Sequence, residues 1–133
     1  MVSGMHHGAV TVSDMEKSVA WYQENLGFVT KDEFRNDEMH IVLLQAGEAR
    51  LELFVLKEGK VLPDYRKSLL TDLGTVGTKH LAFQVTNIEK MVDKLKEKGV
   101  EIESEVDTAA FGGKYAFIKD TDGNLIELFE ANS

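Results

Sequence analysis

The sequence contains no cysteine, which excludes disulfide bonds, thiolate nucleophiles and cysteine-held metals, so nothing requires an oxidising compartment. Proline occurs once, at Pro63. The longest aliphatic run, Ile41 to Leu44, is far too short to span a bilayer, and the opening "MVSGMHHGAV" has no basic stretch leading into an apolar one. A soluble cytoplasmic protein is the expectation. Positive charge is scarce as well: 15 basic against 23 acidic side chains leave a net charge of −8. Such a chain has no field to attract phosphates, which argues against nucleic acid or an anionic membrane as partner. What remains is 133 residues with 43% apolar side chains, enough for one core and too few for two independently stable globular domains. A single domain over 1–133 is therefore expected.

That domain is internally repeated. "HGAVTVSDMEKSVAWYQENLGF" from His7 and "HLAFQVTNIEKMVDKLKEKGV" from His80 align at one constant offset through His7/His80, Ala9/Ala82, Val12/Val85, Glu16/Glu89 and Lys17/Lys90. Gly27/Gly99, and "LELF" at 51–54 with "IELF" at 126–129, match after small drifts that read as loop insertions. The division is module one at 1–56, a connector at 57–78 and module two at 79–133. The connector holds Pro63 and is expected to carry one short helix around Tyr65 to Leu73.

Within each module the hydrophobic period changes from two to 3.6 and back. "MHHGAVTV" alternates as a strand. Ser13, Asp14 and Glu16 then offer N-cap and capping-box chemistry, the stripe Met15, Val19, Tyr22, Leu26 predicts a helix, and Gly27 ends it. Module two repeats this with Thr86 three residues before Glu89, the stripe Ile88, Met91, Val92, Leu95, and Gly99 as terminator. Three strands follow each helix, near 28–34, 39–46 and 49–56, and near 100–106, 114–119 and 124–130. The order is βαβββ twice, an α+β fold of two tandem modules.

Strand parity separates the polar residues from the core. Leu81, Phe83 and Val85 oppose His80, Ala82 and Gln84; Val10 and Val12 oppose His7, Ala9 and Thr11; Leu51, Leu53 and Val55 oppose Glu52 and Phe54; Ile126 and Leu128 oppose Glu127 and Phe129. Two histidines and two carboxylates thus hold repeat-equivalent places on the face turned away from the helices. If the two sheets curve toward each other, all four converge on one hollow. Burying both carboxylates there would cost several kcal/mol without a cation or partner. Two imidazoles and two carboxylates suit one divalent first-row ion, Ni²⁺, Co²⁺, Zn²⁺, Mn²⁺ or Fe²⁺, better than Ca²⁺. Taken singly, each is an ordinary strand residue; the paired repetition carries the metal reading. Glu38 and His40 are further candidates to reach the hollow, though solvated strand residues are the simpler description. His6 points opposite to His7 and is read as a surface or helix-contacting residue.

These residues carry a resemblance to a known family. "HHGAVTVSDMEKSVAWYQENLGF", "KHLAFQVTNIEKMVDKLKEKGV" and "FIKDTDGNLIELFE", the last with Thr121 in place of the usual proline, resemble the vicinal oxygen chelate superfamily, the glyoxalase I and bleomycin-resistance fold. The resemblance spans essentially the whole chain and implies paired βαβββ modules forming a curved mixed sheet around a metal site. It implies His7, Glu52, His80 and Glu127 as metal ligands, with Glu52 or Glu127 as the catalytic carboxylate that moves a proton next to a carbonyl. The partner it implies is a small molecule with vicinal oxygens, and a homodimer is expected. The activity it implies is that of a lyase or isomerase resembling lactoylglutathione lyase (glyoxalase I), with methylmalonyl-CoA epimerase as the alternative. Ring-cleaving dioxygenases, and metal-free proteins that bind small molecules, follow behind. Thr11 and Leu56 stand where glyoxalase I carries an arginine and an asparagine for glutathione, and Lys79 where epimerases often carry a second histidine. Arg50, Arg66, Lys114 and Tyr115 receive no role, and "FGGKY" at 111–115 is read as a loop over the hollow.

Overall fold

Apolar residues on one side of most strands build two four-stranded sheets, each covered on that side by one helix, while the strand 29–35 is exposed throughout. The structure, a computed structural model, describes residues 1–132. The chain divides into two compact units, Met1–Val61 and the segment from Leu62 onward, so residues 62–78 of the connector belong with the second and 57–61 with the first.

The first unit runs β1 (Gly8–Thr11), α1 (Met15–Leu26), β2 (Val29–Arg35), β3 (Met39–Ala46) and β4 (Ala49–Leu56), with sheet order β1-β4-β3-β2. β1 lies parallel to β4, while β2, β3 and β4 form an antiparallel meander. Met15, Ser18 and Tyr22 of α1 are buried, together with Val42, Leu44, Leu51 and Leu53 of the sheet. Fully burying a leucine such as Leu44, Leu51 or Leu53 contributes about 1.5–3 kcal/mol each.

The second unit begins with a single 3₁₀ turn, Asp64–Arg66, and a short helix α2 (Leu69–Leu73), where one helix was expected. There follow β5 (Leu81–Gln84), α3 (Ile88–Glu97), β6 (Ile102–Thr108), β7 (Lys114–Lys119) and β8 (Leu125–Glu130), in the equivalent order β5-β8-β7-β6 with β5 parallel to β8. Ile88, Val92 and Leu95 of α3 are buried with Ala116, Ile118, Ile126 and Leu128. The connector is tied down by buried Asp72, which accepts a bond from Arg66 Nε at 3.2 Å, and by Glu103, whose carboxylate accepts from the Leu69 amide at 2.9 Å. Lys79 bonds the backbone carbonyls of Asp72, at 2.6 Å, and Thr75. It is held by the end of α2 and takes no histidine-like place at a site.

The expected fold class, two tandem βαβββ modules, is the one observed, with one four-stranded mixed sheet in each unit. The strand starts and the cap of α3 differ, while at α1 the cap is one of the candidates offered. β1 and β5 are shorter than expected, and His7 and His80 each stand immediately ahead of their strand. The cap of α1 is Asp14, whose carboxylate accepts from the Lys17 amide at 3.0 Å. At α3 the N-cap is Asn87, in the left-handed conformation at φ 51° with no side-chain cap bond. Glu130, at the far end of the unit, supplies the acceptor for the Ile88 amide at 3.0 Å.

Candidate metal centre

Parallel pairing of first and last strands sets the histidine beside the glutamate within each unit. The register Ala9↔Glu52 places His7 just beyond the end of β1, on the face that Glu52 shares, and His7 Nε2 lies 2.9 Å from Glu52 Oε1. In the second unit Ala82↔Glu127 does the same, and His80 Nε2 lies 2.9 Å from Glu127 Oε1. The first pair is the more open, with side-chain exposures of 39% and 28% against 18% and 18% for the second. No other hydrogen bond engages either glutamate's side chain among the described residues, which leaves Oε2 of both available.

The two imidazoles differ at their second nitrogen. His6 Nδ1 lies 2.8 Å from His7 Nδ1, so one ring donates and the other accepts. His6 therefore contacts His7 directly, contrary to the expectation that it faces away, because the chain there precedes the strand and is not bound by strand parity. When His7 Nδ1 donates, its Nε2 lone pair is free for a cation. His80 Nδ1 is buried with no hydrogen-bond partner, and the ring packs edge-on against Phe117, with centroids 4.7 Å apart.

The structure brings His7 to Glu52 and His80 to Glu127; among the described residues no group of three or more histidine, aspartate or glutamate side chains forms a metal-holding cluster. The donor set nevertheless fits a first-row divalent ion. Two donors at about 2.1 Å from one ion and at right angles to each other are about 3 Å apart, close to what each pair already shows. Each pair offers one imidazole nitrogen and one carboxylate group, and both pairs remain partly open to solvent.

His40 lies elsewhere. β3 pairs with β4 so that Leu43 is opposite Glu52 and His40 opposite Val55, which puts His40 on the helix-covered face with Val42 and Leu44. There its Nδ1 accepts from Arg35 Nη2 at 2.9 Å and its Nε2 donates to Glu33 Oε2, so both ring nitrogens are engaged. Glu38 falls in the turn before β3. The glycines of "FGGKY" close a tight turn in which the Ala109 amide donates to the Gly113 carbonyl at 2.9 Å. Arg50, passed over in the sequence, shares the face of Glu52, and its Nη1 donates to the His6 carbonyl at 3.3 Å. The signal was available, since Arg50 and Glu52 have the same strand parity.

Comparison with known proteins gives these pairs a context. Residues 4–128 match the profile of the Glyoxalase/Bleomycin resistance protein/Dioxygenase superfamily. The chain is 33% identical to the uncharacterized protein YwkD of Bacillus subtilis, over 98% of each chain. It is 28% identical to a probable lactoylglutathione lyase of Synechocystis, covering 96% of this chain and 95% of that protein. Identity to human mitochondrial methylmalonyl-CoA epimerase is also 28%, over 96% of this chain and 73% of the epimerase. Among solved structures, the glyoxalase family protein from Enterococcus faecalis superposes with a TM-score of 0.78 at 30% identity, over 96% of this chain and 98% of that one.

Proposed function

Since the chain belongs to the Glyoxalase/Bleomycin resistance protein/Dioxygenase superfamily, we propose that it is a divalent-metal-dependent lyase or isomerase that moves a proton next to a substrate carbonyl. The reading rests on one observation, the repetition of the same Nε2 to Oε1 approach of 2.9 Å in both units. His7, Glu52, His80 and Glu127 are the ligands. A divalent ion, when bound, supplies Lewis acidity to adjacent substrate oxygens and so lowers the cost of charge developing there.

The remaining work falls to the chain itself. Each glutamate engages its histidine through Oε1 and retains Oε2; one of them, Glu52 or Glu127, takes the proton from the substrate carbon and returns it. Without the ion, His7 and His80 hold their carboxylates in place through Nε2; as ligands they would instead turn that nitrogen's lone pair to the ion. Ala9 and Ala82, small residues on the same faces as the glutamates, leave room above the pairs. Phe117, Phe129 and Phe54 share those faces and keep the surroundings apolar, which strengthens electrostatic interactions at the reacting atoms. Two relatives at equal identity, a probable lactoylglutathione lyase and an epimerase, support proton transfer as the shared step.

The test is exchange of a substrate hydrogen with D₂O, followed by NMR on protein loaded with Co²⁺ or Ni²⁺, using methylglyoxal hemithioacetals and methylmalonyl-CoA. Metal-dependent exchange in one of them is expected, and Glu127→Gln or Glu52→Gln should slow it about 100-fold or more. Exchange that persists at full rate in both variants refutes the carboxylates as bases. A protein that retains no metal after loading refutes the ligand set.

A further inference from the structure

Three arginines occur in the chain, and two are committed: Arg35 to the His40 ring and Arg66 to the buried carboxylate of Asp72. Lys79 is likewise fixed to Asp72, Lys119 to Glu101 and Glu103, and Lys114 to Glu89. Arg50 is different. It is half-buried, it has no carboxylate partner among the described residues, and its one hydrogen bond is a long contact of 3.3 Å to a neutral carbonyl, that of His6. A guanidinium carries five N–H donors in a planar fork, so most of its capacity is unused.

Its position gives that capacity a use. Arg50 and Glu52 lie two residues apart on β4 and share a face, about 6.6 Å along the strand at the usual rise. Continuing the parallel register Gly8↔Leu51 and Ala9↔Glu52 back by one residue sets His7 opposite Arg50. An unpaired cation thus flanks the His7–Glu52 pair in a protein whose net charge is −8. We propose that Arg50 is a specificity residue that binds a carboxylate or phosphate of the substrate, selecting compounds in which an anionic group lies a few bonds from the oxygens presented to the metal. This deepens the metal-dependent reading above and rests on it for the second half of that statement. The planar fork accepts an anion through two parallel charge-assisted hydrogen bonds, which a lysine at the same place supplies only in part.

The test uses two hydroxamates of equal length that present the same pair of vicinal oxygens, one ending in carboxylate (succinic monohydroxamate) and one in methyl (butanohydroxamate). In calorimetric titrations of Co²⁺-loaded protein, the carboxylate compound should bind the wild type about tenfold more tightly or better. Arg50→Gln should erase the preference while leaving butanohydroxamate binding unchanged, which also shows the variant folded, and Arg50→Lys should retain part of it. A preference that survives in Arg50→Gln, or is absent from the wild type, overturns the proposal. A second arm needs no metal: in ¹⁵N-labelled metal-free protein, succinate should shift the Arg50 Nε–Hε resonance where sodium chloride at equal ionic strength does not. A resonance unmoved by succinate overturns the role of Arg50. Failure of Co²⁺ to bind, seen in the metal titration itself, overturns the metal reading instead, and the succinate arm still decides Arg50.

Discussion

Gly113 shows how little room the backbone leaves beside the candidate site. Its φ is +82°, and a Cβ there would stand 2.6 Å from the Glu130 carbonyl and 2.9 Å from the Phe129 ring. Gly27 has a similar φ of +76° with nothing within 4 Å. The two therefore separate conformational strain from collision. Gly27→Ala should cost about 1–2 kcal/mol, the usual penalty for a left-handed residue with a side chain. Gly113→Ala should cost about 3 kcal/mol or more, since an overpacking term adds to the same strain. Urea denaturation midpoints compare them, and equal losses would show that the loop simply moves aside. "FGGKY" was legible as special because paired glycines punctuate a chain, but the reason is the neighbouring strand β8 pressing on Gly113, which the five residues alone do not supply.

Among the elements, the helices and most strands were legible because their apolar periods are clear, and the Glu52 and Glu127 faces followed from simple alternation. His40 was not. It precedes "IVLL", a run apolar on both faces, so only the pairing of Leu43 with Glu52 tells which way His40 points. The cap of α3 was displaced for a related reason: Thr86 and Asn87 are adjacent candidates, and Glu130 reaches α3 from the opposite end of the unit; at α1 the adjacent candidates Ser13 and Asp14 left the choice open, and Asp14 takes it. One element-level contact predicts a pH dependence. Burial of Lys119 on β7 lowers its pKa, but the Glu101 and Glu103 carboxylates, at 3.0 and 3.5 Å, outweigh this and leave it raised above the ordinary lysine value. A raised folded-state pKa means that its contribution to stability is complete below the unfolded lysine value, about 10.4, and is lost as pH rises through the folded one. As pH rises past the unfolded lysine value of about 10.4, the stability of the wild type should therefore fall more than that of Lys119→Met, which removes this titration and leaves the tyrosines and other lysines as a common background. Parallel pH curves for the two would dismiss the contact.

At the scale of the whole chain, duplication distributes the proposed ligand set as one imidazole and one carboxylate per unit. If both pairs serve one ion, loss of either histidine should remove all of the metal-dependent stabilisation rather than half of it. Co²⁺ at a hundredfold excess over its dissociation constant should raise wild-type stability by about 2.7 kcal/mol. His7→Ala and His80→Ala should each abolish that gain in thermal melts, while a half-sized gain in either would show two separate sites. The repeat made this symmetry readable from sequence alone, because His7/His80 and Glu52/Glu127 recur at matched places. In each unit the strand that follows the histidine pairs in parallel with the strand bearing the glutamate, though the two are the first and last of the unit. During synthesis the imidazole therefore waits, and gains its carboxylate only when the final strand slots in against the first, by the costliest loop closure in the unit. A product stopped before the last strand of a unit would lack that unit's pair, so full affinity for a cation would switch on only with completed folding and could serve as its reporter.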